Sequence, residues 1–174
     1  MDDLKQLIRD IPDFPKEGIV FRDITPLLAN AGALRRSVQA MAEPFRGKAV
    51  DSVVGVEARG FIFAPMVAYE LGVGFVPVRK PGKLPYKTRR ESYELEYGTD
   101  ALEIHEDAVG PGDRVLMVDD LLATGGTMQA CCGMVAAMGG QVVACCFLIE
   151  LAFLNGRGKL ADYDVLSLLT YDQP

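Results

Sequence analysis

Short apolar runs alternate with helix-length segments through the last two thirds of the chain, and this alternation constrains the fold most. Residues 52–56, 73–78, 114–118 and 142–149 are strand-like, and 165–169 offer a fifth run. Helical stretches at 61–71 and 127–138 fall between them. The pattern predicts a parallel, twisted sheet covered by helices on both faces, an α/β fold. Ligands of such sheets bind at the carboxyl ends of the strands. Upstream, Leu4, Leu7 and Ile8 predict an amphipathic helix over 3–11, ended by Pro12, Pro15 and Gly18. Residues 23–26 read as a turn and 33–45 as a second helix. With 174 residues, no repeat and no linker, the chain is expected to form one domain.

From Leu121 to Ile149 there is no charged residue, a stretch long enough to cross a bilayer. Gly125–Gly126 and Gly139–Gly140 cut it, so it reads as loop, buried helix and buried strand. The formal charge of −6 argues against a nucleic-acid binder and against a polybasic membrane-surface protein. Four cysteines stand as two adjacent pairs, Cys131–Cys132 and Cys145–Cys146, without metal-ligand spacing. They read as reduced core thiols of a cytoplasmic protein. The start, MDDLKQLIRD, has no apolar segment of the signal-peptide kind.

The most informative segment runs Val115-Leu-Met-Val-Asp-Asp-Leu-Leu-Ala-Thr-Gly-Gly-Thr127. An apolar strand ends in two carboxylates, and a glycine-rich turn then opens a helix. Successive N–H groups in such a turn form a concave anion site, to which Thr124 and Thr127 add hydroxyls. The loop has no lysine, which disfavours a nucleoside triphosphatase. A phosphorylated sugar reconciles acids with an anion site: its phosphate sits in the loop, and its diol donates to the carboxylates. Adjacent strand residues face opposite sides, so Asp119 and Asp120 can share one ligand only if the strand has ended by Asp119.

This segment resembles the signature of type I phosphoribosyltransferases, which bind 5-phosphoribosyl 1-diphosphate (PRPP). Further stretches narrow the resemblance to the adenine phosphoribosyltransferase family: Pro12-Asp-Phe-Pro15, Gly18-Ile-Val-Phe-Arg-Asp23, Glu57-Ala-Arg-Gly-Phe61, Arg79-Lys-Pro-Gly-Lys-Leu-Pro85 and Tyr93-Glu-Leu-Glu-Tyr-Gly98. The resemblance implies a core of about 33–174, an N-terminal hood of about 1–32 that contributes to base binding, and a mobile lid loop. It implies transfer of phosphoribose from PRPP to adenine, giving AMP and pyrophosphate, in a homodimer. Mg2+ would be bound mainly by substrate and water, not directly by protein side chains. Ala123, Thr124, Gly125, Gly126 and Thr127 would hold the 5′-phosphate, and Asp119 and Asp120 would face the ribose. Glu57, Ala58, Arg59 and Gly60 would form the pyrophosphate loop, a place where the family often has a non-proline cis peptide.

PRPP is a polyanion and the protein is acidic, so binding needs local cations. Residues 79–90 hold six, a third of all Lys and Arg, and no acid. Following a strand at the ligand edge, the segment reads as a mobile basic loop, and Arg79, Lys80 and Lys83 are the pyrophosphate candidates. Arg59 directly follows a strand, and a guanidinium forks onto phosphate oxygens. By resemblance, residues of the basic segment also reach the neighbouring subunit's site.

Breaking the C1′–O bond needs no covalent nucleophile, only stabilisation of the leaving group and an acceptor for the base's proton. In 6-oxopurine relatives the phosphate loop carries an acid where this chain has Ala123. Resemblance points instead to Glu96, while the residues alone leave two readings open, an exposed strand carboxylate or a base. Val20, Phe21, Arg22 and Leu154 stand at the family's adenine-binding positions. Two other readings remain: transfer to xanthine or another purine, and a non-catalytic regulator sensing PRPP or purines.

Overall fold

The expected N-terminal helix divides in two. In the computed structural model, which describes residues 1–94 and 99–174, helix α1 spans only Asp2–Lys5, and Arg9–Ile11 form strand β1. β1 pairs antiparallel with β2 (Phe21–Asp23) in the register Arg9↔Asp23 and Asp10↔Arg22. Opposite charges therefore face each other across the ribbon, with Arg22 Nη1 2.6 Å from Asp10 Oδ1. Those cross-strand pairs, and burial of Leu4 and Ile8 in the core, outweigh the helical periodicity. The segment expected as turn and single helix becomes α2 (Thr25–Ala29) and α3 (Ala31–Ala42), followed by a 3-10 turn. Asn30 separates the helices, because its Oδ1 accepts from the Ala33 N–H at 3.0 Å and caps α3.

The core follows the expected alternation. Strand β3 (Ser52–Val56) leads into α4 (Gly60–Leu71) and β4 (Gly74–Val78). Strands β5 (Thr88–Glu94) and β6 (Thr99–His105) then form a separate antiparallel ribbon. The basic segment is thus loop only up to Lys87, and Arg89 and Arg90 lie on β5. Next come β7 (Arg114–Leu122), α5 (Gly126–Ala137), β8 (Gln141–Leu151) and β9 (Val165–Tyr171). The main sheet has the order β4-β3-β7-β8-β9, with every pairing parallel.

Each face of this sheet buries its own core. Val53, Leu116, Val118, Cys146 and Leu148 pack toward α3 and α4. Val54, Val115, Met117, Cys145 and Phe147 pack toward α5 and the ribbon. Burial on both sides explains why these strands read as continuous apolar runs. All four cysteines are buried and free, and Cys132 Sγ lies 3.6 Å from Cys145 Sγ. Among the described residues, no helix is long and apolar enough to cross a membrane.

Candidate active site

The carboxyl ends of β3 and β7 lie side by side, and a cleft of about 390 Å3 opens there. Glu57, Ala58 and Arg59 line it from the β3–α4 turn, where the Glu57–Ala58 peptide is cis. Lys80 enters after β4. Asp119, Asp120 and the run Ala123, Thr124, Gly125, Gly126 and Thr127 come from β7 and the loop behind it. The structure therefore brings together most of the residues assigned to the phosphate, ribose and pyrophosphate.

The loop after β7 is shaped to receive an anion. Gly125 caps α5 with φ +81°, a left-handed conformation that glycine adopts without strain. The N–H groups of Thr124 and Gly125 donate to nothing among the described residues, and α5 directs the positive end of its dipole to the same place.

Strand β7 does not end at Asp119 but continues to Leu122, which corrects the condition set by simple alternation. The pleat instead changes phase. Leu116 and Val118 face α4 and Met117 faces α5, yet Leu121 packs on the α4 side and Leu122 on the α5 side. The slip falls at the two acids and lets both line the cleft. Asp120 is buried and holds Arg59, with Oδ2 2.5 Å from Nε. Asp119 is half-buried; its Oδ1 accepts from the Asp120 N–H at 2.8 Å. Dense surrounding protein, and then the neighbouring Asp120 charge, push its carboxyl well above the usual range. Gly60 makes room for it: a Cβ there would stand 2.7 Å from Asp119 Oδ1.

The cations are already paired. Glu57 accepts from Arg79 Nε and Nη2 at 3.1 and 3.0 Å and from the Lys80 N–H at 2.7 Å, and its Oε1 is 3.3 Å from Lys83 Nζ. Burial raises the Glu57 carboxyl, but these donors outweigh it and hold it below its ordinary 4.5. Lys80 Nζ reaches into the cleft and lies 3.1 Å from Asp100 Oδ2. Arg79 and Lys83 do not line the cleft; they stand behind it, against Glu57.

The residues expected around the base lie outside this cleft. Phe21 comes nearest, with its ring 5.3 Å from the Arg59 guanidinium and edge-on to Phe14. Val20 is half-buried, and Leu154 is exposed on a 3-10 turn after β8. Arg22 points elsewhere: it pairs with Asp10, stacks on Tyr171 at 4.2 Å and donates to the Gln173 carbonyl. Glu96 lies outside the described residues. Tyr93, Asp100 and Leu102 of the ribbon also line the cleft. Sequence reasoning gave Asp100 no role, and nothing local singles it out, because Glu91, Glu94 and Glu96 stand between it and the run of cations.

Comparison with known proteins matches residues 26–170 to the phosphoribosyl transferase domain. The adenine phosphoribosyltransferase of Geotalea uraniireducens is 60% identical over 171 residues, covering 98% of this chain and 100% of that protein. A crystal structure of adenine phosphoribosyltransferase from Thermoanaerobacter pseudethanolicus superposes with a TM-score of 0.95 at 55% identity, covering 98% and 99% of the two chains. The Saccharomyces cerevisiae enzyme, crystallised with D-2,5-dideoxy-2,5-imino-altritol 1,6-bisphosphate and adenine, superposes at 0.90 with 41% identity, covering 95% and 96%.

Proposed function

The chain belongs to the adenine phosphoribosyltransferases of the phosphoribosyl transferase family, and from that premise we propose how its own residues carry the reaction. The enzyme converts adenine and PRPP to AMP and pyrophosphate in purine salvage. The observation that carries the residue assignment is the juxtaposition of the Thr124 and Gly125 amides, unpaired among the described residues, with the Arg59–Asp120 pair in one cleft.

In this reading the loop from Ala123 to Thr127 takes the 5′-phosphate, and Asp119 and Asp120 accept from the ribose hydroxyls. Glu57 to Gly60, with Arg59 and Lys80, meet the diphosphate. N9 of adenine attacks C1′ as the C1′–O bond to pyrophosphate breaks. Charge building on the leaving oxygen is met by Arg59 and Lys80, groups fixed before the reaction begins. Glu96 takes the imidazole-ring proton, and Phe21 and Leu154 sandwich the purine beside Val20 and Arg22. The basic segment 79–90 acts as the lid over the pyrophosphate, and residues 1–32 form the hood.

The carboxylates at the cleft suit a Mg2+ that travels with its substrate. Glu57, Asp100 and Asp120 are committed to cations, so these three carboxylates offer no free cage of oxygens to a metal. Mg2+ would keep substrate oxygens and water as ligands and would supply charge neutralisation to the leaving group.

A homodimer fits the outward face of α4. Glu70 is its only charged residue, and Phe61, Pro65 and Tyr69 follow one another at helical spacing, Tyr69 being 85% exposed. Four buried thiols suit a reducing compartment, and we place the protein in the cytoplasm.

The test is competition among adenine, guanine, hypoxanthine and xanthine with PRPP and Mg2+, read as pyrophosphate release. AMP should dominate. A 6-oxopurine product would overturn the base assignment, and PRPP binding without turnover would indicate a regulator.

A further inference from the structure

The phosphate loop does not keep its shape alone. It lies backbone to backbone against the turn that follows β8. A Cβ at Gly125 would stand 2.5 Å from the Gly156 carbonyl oxygen, and a Cβ at Gly156 would collide with the Ala123 carbonyl oxygen and approach Leu122 Cδ1 to 2.9 Å. Gly156 leaves no space for a methyl at Gly125, and Ala123 and Leu122 leave none at Gly156, so the two segments are fitted to each other. Asn155, just before Gly156, takes a left-handed φ of +52°, which turns the chain back toward the loop.

An ion pair between a buried carboxylate and a half-exposed arginine anchors this turn. Glu150 stands at the β8 position in register with Leu122, one residue before the loop begins. Its two carboxylate oxygens accept from Arg157 Nε and Nη2, both at 2.7 Å, while Arg157 Nη1 donates to the Val165 carbonyl at 2.9 Å. The Glu150 side chain is 6% exposed, and the fork of Arg157 holds its carboxyl below the ordinary value of 4.5. Residues 150 and 157 are thus tied across the turn, with Gly156 held at the loop between them. Neither Glu150 nor Arg157 lines the cleft itself.

We propose that Gly156 and the Glu150–Arg157 pair are positioning residues for the 5′-phosphate loop: the pair clamps the turn, and the turn's backbone sets the curvature of residues 123–125. The proposal rests on the reading of that loop as the 5′-phosphate site. It makes a distinction that a general stabilising role would not. Ligands carrying the 5′-phosphate depend on the clamp, whereas pyrophosphate, which meets Arg59 and Lys80 on the other side of the cleft, does not.

Binding of ribose 5-phosphate, AMP and pyrophosphate to the full-length protein, followed by calorimetric titration, tests it. Arg157→Gln and Gly156→Ala should weaken ribose 5-phosphate and AMP at least tenfold and leave pyrophosphate within twofold. Arg157→Lys, which keeps the charge but loses the fork, should fall between Arg157→Gln and wild type. In turnover the KM for PRPP should rise more than kcat falls. Wild-type affinity for ribose 5-phosphate in the Arg157 variants would overturn the proposal, as would equal weakening of all three ligands. Should Gly156→Ala fail to fold, the half-exposed Arg157 site still decides between these outcomes. Failure of the wild-type protein to bind ribose 5-phosphate would instead remove the phosphate-site reading, and the proposal with it.

Discussion

Replacing Gly60 by alanine separates the geometry of the ribose site from the stability of the fold. Gly60 is the first residue of α4, where alanine is at least as good a helix former. The added Cβ would stand 2.7 Å from Asp119 Oδ1 and 3.4 Å from the Val118 carbonyl oxygen. Only the first contact is too close, and the Asp119 carboxyl must retreat by about 0.7 Å to reach 3.4 Å. It cannot do so freely, because the same Oδ1 accepts from the Asp120 N–H. Displacement on this scale costs roughly 10- to 100-fold in rate where orientation matters. The control is Gly133→Ala in the middle of α5, where nothing lies within 4 Å of the new methyl. That substitution should add about 0.5–1 kcal/mol of stability, raising Tm by a few degrees, about 2–4 °C per kcal/mol, with activity unchanged. Steady-state kinetics and thermal melts on both variants form the assay. Gly60→Ala should keep a Tm within a few degrees of wild type while kcat/KM for PRPP drops roughly 10- to 100-fold. Wild-type kcat/KM in Gly60→Ala would refute the placement of Asp119 beside the reacting sugar.

Glu96→Gln should lower kcat by more than roughly tenfold with little change in PRPP affinity, and equal activity would remove Glu96 from proton transfer. Glu57, held below its ordinary value of 4.5, contributes stability that is present above that pH and lost as pH falls through its lower folded value. The Tm difference between wild type and Glu57→Gln should therefore narrow on acidification below about pH 4.5, and a constant gap would refute the linkage. Tyr69→Glu should shift sedimentation toward monomer if the exposed face of α4 is the subunit contact, and an unchanged sedimentation coefficient would move the contact elsewhere.

The central sheet was legible in the sequence because its inner strands β3, β7 and β8 are buried on two faces, which leaves uninterrupted apolar runs such as Val53–Val54 and Leu116–Val118. The two ribbons were not. β1, β2 and β5 read RDI, FRD and TRRESYE, mostly polar strings whose partners are chosen by charge and turn geometry rather than by apolar periodicity. The cleft's acids, glycines and Arg59 stood out because they break off apolar runs abruptly. The distribution of the basic segment did not stand out, since it depends on which carboxylates, Glu57 and Asp100, fold back onto it. Arg22 illustrates the same limit: its attachment to Asp10 follows from ribbon register, which no local pattern encodes.

The pairing of Arg59, Arg79, Lys80 and Lys83 with Asp120, Glu57 and Asp100 has a thermodynamic corollary. On the proposed assignment, the cleft and the residues behind it carry their own counterions, so an incoming polyanion would swap places with tethered carboxylates instead of expelling ions into bulk solvent. Association would then depend on ionic strength far less than a bare cluster of four cations would imply. The empty site is also spared the self-repulsion that such a cluster would suffer.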